Sequence, residues 1–541
     1  TLMAAGVIYS LHELIALAIA HWQTPSLHGD SFTFVIRNQD SSLTDWIISQ
    51  HNEHRIIPAK LTSIIETDFF RIPPGQSGIF QNLALILACI GQWCWVCQHL
   101  LKRSYLRLST ALAGSLILLN PWQFENFSWE FQTPWFLINA LVLTCTLLLS
   151  KSSTGSFKKH RILLLSLILP WVAIGSTGQG LALAIAFIAC AWINSGRLGA
   201  LVSGSTGLAI LTFYKILPYS KPSAHPDLSF QLNYFLKSWL GGIWQGLALL
   251  FVGLLITTAI VSRGQMPPRS TWPAALMPGL FSLIFAGMVT LSRSGFGLDS
   301  ANASRYVTHS LMLGLSALLV LAVVDDQNHQ HRPRLPLLGS CLVLITTFGS
   351  FPQILSANGI TYQEAWKRVK MGPEQKRKGL ACHARQTVFE DKNIHLTEKC
   401  RGIFPDQAVI NRYFQGNWPV QPMGWHKQLL GEASIFKTGT IIHKLNYQAL
   451  KPAALKLQGW GFLKEAPDQE LYLLARYDDS KQIAIPIKQN RKDVKQFYRL
   501  SNKKVGFNTA IPRSYTGNPL RSVRIGTPTQ SVQIWENPNA D

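Results

Sequence analysis

Eleven apolar runs limit what this chain can fold into. A helix that crosses a bilayer needs about 20 mostly apolar residues. Runs of this kind cover 3–21, 77–100, 108–122, 133–150, 162–175, 179–194, 199–217, 239–262, 274–292, 306–324 and 336–353. Charged residues make up only 14% of the 541, against about 25% in soluble proteins. The sequence therefore predicts a polytopic α-helical membrane domain over 1–354. The first run, Leu2 to about Ala20, is followed by no small-residue cleavage site and is expected to remain as a span. Gly175-Ser-Thr-Gly-Gln-Gly180 interrupts the apolar sequence, as one broken helix or as a tight re-entrant pair.

Charge sets the expected orientation. The net charge of +22 invites a nucleic-acid partner, but its distribution argues against one. With the N-terminus cytoplasmic, the loops 101–107, 151–161, 195–198, 263–273 and 325–335 all face the cytoplasm and all carry Lys or Arg. The outer loops 121–132 and 175–180 carry none. The remaining excess lies in residues 355–541, with 29 Lys and Arg against 15 Asp and Glu, and suits anionic lipid or phosphorylated substrates.

This outward-facing tail divides in two. Residues 355–430 are polar and expected to be helical. Residues 431–541 alternate apolar and polar with frequent turns, and 454–458, 470–475, 482–487 and 523–526 read as strands of a β-sandwich. Cys382 and Cys400 are the only cysteines of the tail, and in an oxidising compartment they would be placed to pair. Cys94-Trp-Val-Cys97 has metal-site spacing but no second ligand pair, and core packing is the expectation.

The chemistry gathers on the outer face. The first outer loop, 22–76, contains Gln50-His51-Asn52-Glu53-His54-Arg55, a dense ionisable cluster beside a bilayer. Helical spacing over 43–69 suggests an amphipathic helix on the membrane surface. On such a helix His51, His54 and Arg55 share a face and Glu53 diverges from it. His51 and His54 at i,i+3 supply two ligands, so a divalent metal would need a third from elsewhere. The second outer loop interleaves Glu125, Asn126, Glu130 and Gln132 with six aromatics from Trp122 to Trp135. An aromatic belt at the interface accounts for the rings but not for two carboxylates without a basic partner in the loop. Polar groups between flat rings suit a sugar. Gln179 lies in a polar turn on the same face, and Arg305-Tyr306 opens a span where an arginine can hold a phosphate or anchor the interface.

Taken together, His51-Asn-Glu-His-Arg55, Gln123-Phe-Glu-Asn126, Trp129-Glu-Phe-Gln132 and Ser304-Arg-Tyr306 resemble the GT-C class of integral-membrane glycosyltransferases. The resemblance is closer to a bacterial GT-C-like group with this first-loop motif. Cys382 and Cys400 followed by Phe404-Pro-Asp406 extend the likeness. Gly459-Trp-Gly461, Arg491-Lys-Asp-Val494 and Gly506-Phe507 resemble β-sandwich modules of glycan-handling proteins. The resemblance implies a transferase in the bacterial inner membrane with a periplasmic C-terminal domain and a Cys382–Cys400 disulfide. It would move a sugar from a polyprenyl-phosphate donor to a cell-envelope glycan or lipid acceptor. A carboxylate would act as general base, with Glu53 ahead of Asp45 and Asp30. His51, Asn52, His54, Arg55, Arg305 and Tyr306 would hold phosphate or sugar, and Glu125, Asn126, Glu130, Gln132 and Gln179 would contact substrate.

Other functions fit less of the chain. A glycan polymerase or ligase is expected to have its large outer loop late among the spans. A membrane acyltransferase would also place His and Arg near a span end. A transporter or flippase would carry charge at mid-helix, and here only His12-Glu13, His309 and the break at 175–180 answer to that.

Overall fold

The computed structural model describes residues 2–23, 27, 29–35, 42–52, 54–154, 159–218, 227–239, 271–327, 362–390, 394–396, 439–477, 482–501, 504–515, 517–527 and 529–538. They form two compact units. One comprises Thr1–Gln23, Thr33–Pro373 and Trp418–Gln421; the other comprises Thr24–Phe32, Glu374–Asn417 and Pro422–Asp541.

The first unit is helical. Its helices are α1 (Leu2–Gln23), α2 (Leu43–Ile48), α3 (Ile57–Ile64), α4 (Gly78–Leu100), α5 (Ser104–Leu118), α6 (Phe124–Ser128), α7 (Thr133–Thr154), α8 (Lys159–Ser176), α9 (Gln179–Asn194), α10 (Gly196–Leu211), α11 (Leu228–Trp239), α12 (Trp272–Arg293) and α13 (Ser304–Gln327). Among the described residues six segments are long and apolar enough to cross a membrane: Leu2–Gln23, Gly78–Leu100, Glu130–Lys151, Gly196–Ile216, Trp272–Phe296 and Ser304–Asp326. This is the signature of a multi-pass membrane protein. The expected spans 108–122, 162–175 and 179–194 coincide with the shorter helices α5, α8 and α9. The expected span 239–262 beyond Trp239, and all of 336–353, fall outside the described residues.

The break at 175–180 resolves into two helices, α8 and α9, joined by Thr177 and Gly178. A side chain on Gly180 would put its Cβ 1.8 Å from the Ala173 carbonyl oxygen, so the hairpin closes this tightly only with glycine there. At the opposite end of the bundle, the Asp326 carboxylate accepts from the backbone N–H groups of Lys102 (2.7 Å) and Arg103 (3.0 Å). Negative charge thereby meets the orphan donors at the start of α5. Cys97 is buried as expected, but Cys94 of the same CxxC lies exposed.

A further helix, α14 (Tyr362–Glu390), has its residues up to Pro373 in the first unit. Its first turns pack on α1 and the second loop. Trp366 stacks on Phe127 with ring centroids 6.3 Å apart, and Lys370 Nζ lies 2.7 Å from the Glu13 carboxylate. Glu13, the acid inside the first apolar run, therefore has a cationic partner.

The second unit carries the C-terminal β-sheets. Their strands are β1 (Ile394–Leu396), β2 (Ile441–Leu450), β3 (Ala454–Leu463), β4 (Tyr472–Arg476), β5 (Gln482–Pro486), β6 (Gly506–Pro512), β7 (Ser514–Tyr515), β8 (Asn518–Pro519), β9 (Ser522–Gly526) and β10 (Ser531–Glu536). One sheet runs β1-β5-β4-β9-β10, a second β2-β3-β6, and β7 and β8 form a short pair. Leu455, Leu457 and Ile511 of the three-stranded sheet share one core with Leu473, Val523 and Ile525 of the five-stranded sheet. Period-two alternation sends Trp460 and Phe462 to the other face of β3, where Val494 of α15 (Lys492–Tyr498) and Leu500 cover them. β1 departs from expectation. It lies inside the segment 355–430 expected to be helical, and it pairs parallel with β5.

Candidate functional site

The continuous helix expected over 43–69 is not what forms. Ser42 caps α2, its hydroxyl oxygen accepting from the Asp45 N–H at 3.1 Å and donating to the Asp45 carboxylate at 2.8 Å. The helix stops at Ile48. The chain then folds into a tight turn in which the His51 N–H donates to the His54 carbonyl (2.7 Å) and the His54 N–H to the His51 carbonyl (2.9 Å). Asn52 takes φ 49°, a left-handed conformation that asparagine tolerates better than most residues. Helical chemistry resumes at Ile57. The shared helical face expected for His51, His54 and Arg55 is thus replaced by a turn that sends each side chain to a different neighbour. Glu53, the first candidate base, lies outside the described residues.

His51 stands against the second loop. Its ring centroid is 5.3 Å from that of Phe131, and its Nδ1 lies 3.3 Å from the Thr33 hydroxyl. The Asn52 amide lies 3.4 Å from Nε2. His54 is buried, edge-on to Trp135 at 5.7 Å, and its Nδ1 accepts from the Gly178 N–H at 3.0 Å. This bond assigns the neutral ring its proton on Nε2. One imidazole therefore ties the first loop to the α8–α9 turn and to the start of α7. Phe34, Ile56, Ala59, Trp129, Phe131 and Trp135 form the apolar cluster around these rings.

Arg55 is buried and spends its guanidinium on backbone. Nε donates to the Phe213 carbonyl at 3.0 Å, and the two terminal nitrogens donate to the Ile48 and Pro218 carbonyls. It clamps the end of α2 to the chain just beyond the C-terminal end of α10. A cavity of about 560 Å³ opens beside it, lined by Asp45, Ile48, Ser49, Gln50, Arg55, Leu217 and Pro218. The second candidate base, Asp45, is exposed and lines this cavity. The third, Asp30, belongs to the other compact unit.

The second loop is pinned to the start of α13. Glu125 finds a basic partner after all, outside its own loop: one carboxylate oxygen lies 3.5 Å from Arg305 Nη1 and the other accepts from the Ser304 hydroxyl at 3.0 Å. Buried Asn126 donates to the Arg305 carbonyl at 2.9 Å and to the Thr308 hydroxyl. Thr308 donates to Gln123 at 2.7 Å, and the Asn82 amide donates to the Asn126 and Trp129 carbonyls. Tyr306 packs into the core against Phe285. Glu130 is buried where the loop meets α4. A Cβ on Gly78 would fall 2.5 Å from that of Glu130, so this approach requires glycine.

The buried polar atoms without a hydrogen-bond partner among the described residues include Gln132 Oε1, Trp135 Nε1 and Gln179 Oε1. Gln132 and Trp135 belong to the segment that holds His51 and His54, and Gln179 adjoins Gly178. Leaving such atoms unmatched costs about 1–3 kcal/mol each, and a bound polyol supplies both donors and acceptors.

Two further charged residues of the first loop, to which the sequence assigned no role, are of consequence. Lys60 is buried, and its Nζ donates to the Trp46 carbonyl (2.6 Å), the Ser49 carbonyl (2.9 Å) and the Ser49 hydroxyl (2.8 Å). Burial, with the neighbouring Arg55 charge, lowers its pKa to about 8. Glu66 is buried at the entry to α4, where it accepts from the Ser77 N–H at 2.9 Å, and burial pushes its carboxyl above the usual range. Their signal was present: Lys60, Ser63, Glu66 and Thr67 make a polar stripe opposite Leu61, Ile65 and Phe69.

Among the described residues no group of three or more His, Cys, Asp or Glu could hold a metal ion. Cys382 is buried and is not among the free thiols, and Cys400 lies outside the described residues. No protein-family model matches this chain, and no curated protein or solved structure matches it.

Proposed function

We propose that this protein is a membrane glycosyltransferase of GT-C-like architecture. It moves a sugar from a polyprenyl-phosphate carrier to a cell-envelope glycan or lipid on the outer face of a bacterial inner membrane. The observation that carries this reading is that Gln132 Oε1, Trp135 Nε1 and Gln179 Oε1 are buried and unmatched, on Trp135, whose ring meets His54, and on the residues next in the chain to Phe131, which meets His51, and to Gly178, which bonds His54. A sugar ring meets both needs, stacking its C–H faces on aromatics and pairing its hydroxyls with amide and indole groups. The cavity beside Arg55, with apolar Ile48, Leu217 and Pro218 beside polar Asp45, Gln50 and Arg55, suits the head of an amphiphilic donor.

In the proposed reaction a first-loop carboxylate takes the acceptor hydroxyl proton. Glu53 is the first choice and Asp45 the second. The acceptor oxygen then bonds the anomeric carbon as the bond to the carrier phosphate breaks. Arg305, partly exposed and paired with Glu125, can exchange that carboxylate for the leaving phosphate. Arg55 supports the site mainly as an anchor. The finer architecture belongs to the same proposal: eleven spans, a cytoplasmic N-terminus, a periplasmic glycan-associated β-sandwich and a Cys382–Cys400 disulfide.

The test is transfer by purified protein in proteoliposomes, with polyprenyl-phosphate sugars as donors. Glu53→Gln is expected to abolish transfer, and Gln132→Leu and Gln179→Leu to weaken donor use. Turnover of an acyl thioester with no use of any lipid-linked sugar would make the protein an acyltransferase instead.

A further inference from the structure

Two polar residues inside apolar runs have no part in the proposed chemistry: Asn139 of α7 and His309 of α13. Both lie within segments long and apolar enough to span a membrane, where polar side chains are costly to bury. They belong to one directed set of hydrogen bonds that ends at the Glu125–Arg305 pair. Asn139 Nδ2 donates to the Thr308 carbonyl at 3.0 Å, which leaves Oδ1 to accept from His309 Nδ1 at 2.8 Å. The Thr308 hydroxyl turns away from its own helix, to which a helical threonine can bond back. It donates to Gln123 Oε1 at 2.7 Å and accepts from Asn126 Nδ2. Asn126 Nδ2 also donates to the Arg305 carbonyl at 2.9 Å, and Gln123 Nε2 donates to the Leu118 carbonyl at 2.7 Å. Gln123, Asn126, Asn139, Thr308 and His309 are each no more than 3% exposed. The side chains of Glu125 and Arg305 keep 31% and 35%. A sealed polar base thus carries a solvent-accessible ion pair.

We propose that Thr308, backed by Asn139 and His309, is a positioning residue for the Arg305–Glu125 pair. Gln123 and Asn126 of the second loop meet on its hydroxyl, and Asn139 of α7 holds its carbonyl. Glu125 stands between Gln123 and Asn126 in the chain, and Arg305 lies three residues before Thr308. Bonds that fix the backbone on both sides therefore fix where the two charges meet, at 3.5 Å. His309, whose ring packs against Phe281 and Phe285, ends the set and holds Asn139 in register. Such support matters because a shift of about 1 Å in an acting group can cost 10²-fold in rate. That the pair meets a leaving phosphate rests on the transferase reading; its placement by Thr308 does not.

Arginine modification tests the placement. The full chain in nanodiscs is treated with phenylglyoxal, and adducts on Arg305 and Arg293 are followed by mass spectrometry. Arg293, half-buried over the Phe296 ring, is the internal reference. Glu125→Gln removes the partner and sets the fast limit for Arg305. Thr308→Val keeps the shape and removes the hydroxyl, and Thr308→Ser keeps the hydroxyl. Thr308→Val is expected to raise the Arg305 rate several-fold with Arg293 unchanged, and Thr308→Ser to restore the wild-type rate. An unchanged Arg305 rate in Thr308→Val overturns the proposal. An equal rise at both arginines marks general loosening and overturns it too. Should Thr308→Val fail to fold, Asn139→Leu, similar in shape and one bond further from Arg305, is read in the same way. In sugar transfer Thr308→Val should lower kcat at least about tenfold with donor KM little changed. In an Arg305→Gln background it should cost nothing more, and additive losses would count against positioning. Wild-type protein that transfers no lipid-linked sugar sinks the transferase reading, and the Arg305 modification rate then decides this one.

Discussion

The imidazole of His54 accepts a hydrogen bond from the backbone N–H of Gly178 at 3.0 Å, across 124 residues of chain. This bond joins the first long loop to the α8–α9 hairpin, and Trp135 closes the other side of the ring. His54→Phe keeps a flat ring and removes the acceptor, leaving a buried N–H unmet. The expected loss is about 1–3 kcal/mol of stability, measured as a lowered thermal midpoint in detergent or nanodiscs.

Arg55 predicts a different outcome from a residue that only binds phosphate. Arg55→Lys keeps the charge but cannot reach the Ile48, Phe213 and Pro218 carbonyls together. Each bond lost from a charged donor costs about 1.5–3 kcal/mol. A clear drop in thermal stability with donor KM little changed marks Arg55 as an anchor. An unchanged midpoint with raised donor KM would return it to phosphate binding.

Gly180 has no room for a methyl group, because the obstacle is the backbone carbonyl of Ala173. Gly180→Ala is expected to destabilise by about 1–3 kcal/mol or more. Gly91→Ala, where nothing lies within 4 Å of the added Cβ, is the matched control and should leave the midpoint unchanged or raise it.

Two buried ionisable groups of the first loop, Lys60 and Glu66, give opposite pH trends. Lys60 releases its proton near pH 8 when folded and near 10.5 in its ordinary state. Between these values the unfolded chain holds more protons, so stability rises with pH through this window. Lys60→Met should flatten that rise. Glu66 has a raised folded pKa, so the folded chain holds more protons just above pH 4.5 and stability falls as pH rises through the raised value. Glu66→Gln should flatten that fall. Denaturation midpoints against pH, wild type beside each variant, read both.

The proposed Cys382–Cys400 bond predicts a thiol count. Of eight cysteines, pairing of two leaves six. Denatured, unreduced protein from an oxidising compartment should therefore take up six alkylating groups, and eight after reduction. Eight before reduction would remove the disulfide.

Much of the fold was legible because apolar length and alternation are local properties. α1, α4, α7, α12 and α13 lie where their apolar runs place them, and β3, β4, β5 and β9 where their alternation does. β1 was not legible, since three residues pair with β5 through register and not through any pattern of their own. The candidate site divides in the same way. The sequence located His51, His54, the second loop and the turn at 175–180, because polar groups beside apolar runs stand out in composition. It misjudged how they meet. A periodicity argument made 43–69 one helix, but the Ser42 cap and two hydrogen bonds across Asn52 make a helix and a turn.

The sequence by itself determined that a multi-pass helical domain precedes a β-rich tail, and that polar and aromatic residues gather in its first two long loops. Hydrophobic length and charge bias suffice for that. Only the tertiary structure decided that Arg55 spends its charge on backbone, that Arg305 answers Glu125, and that Lys60 and Glu66 turn inward while Leu61, Ile65 and Phe69 turn out. Those outcomes depend on which carbonyls and carboxylates the fold brings within 3–4 Å of a side chain, and partners far apart in sequence leave no local mark on it.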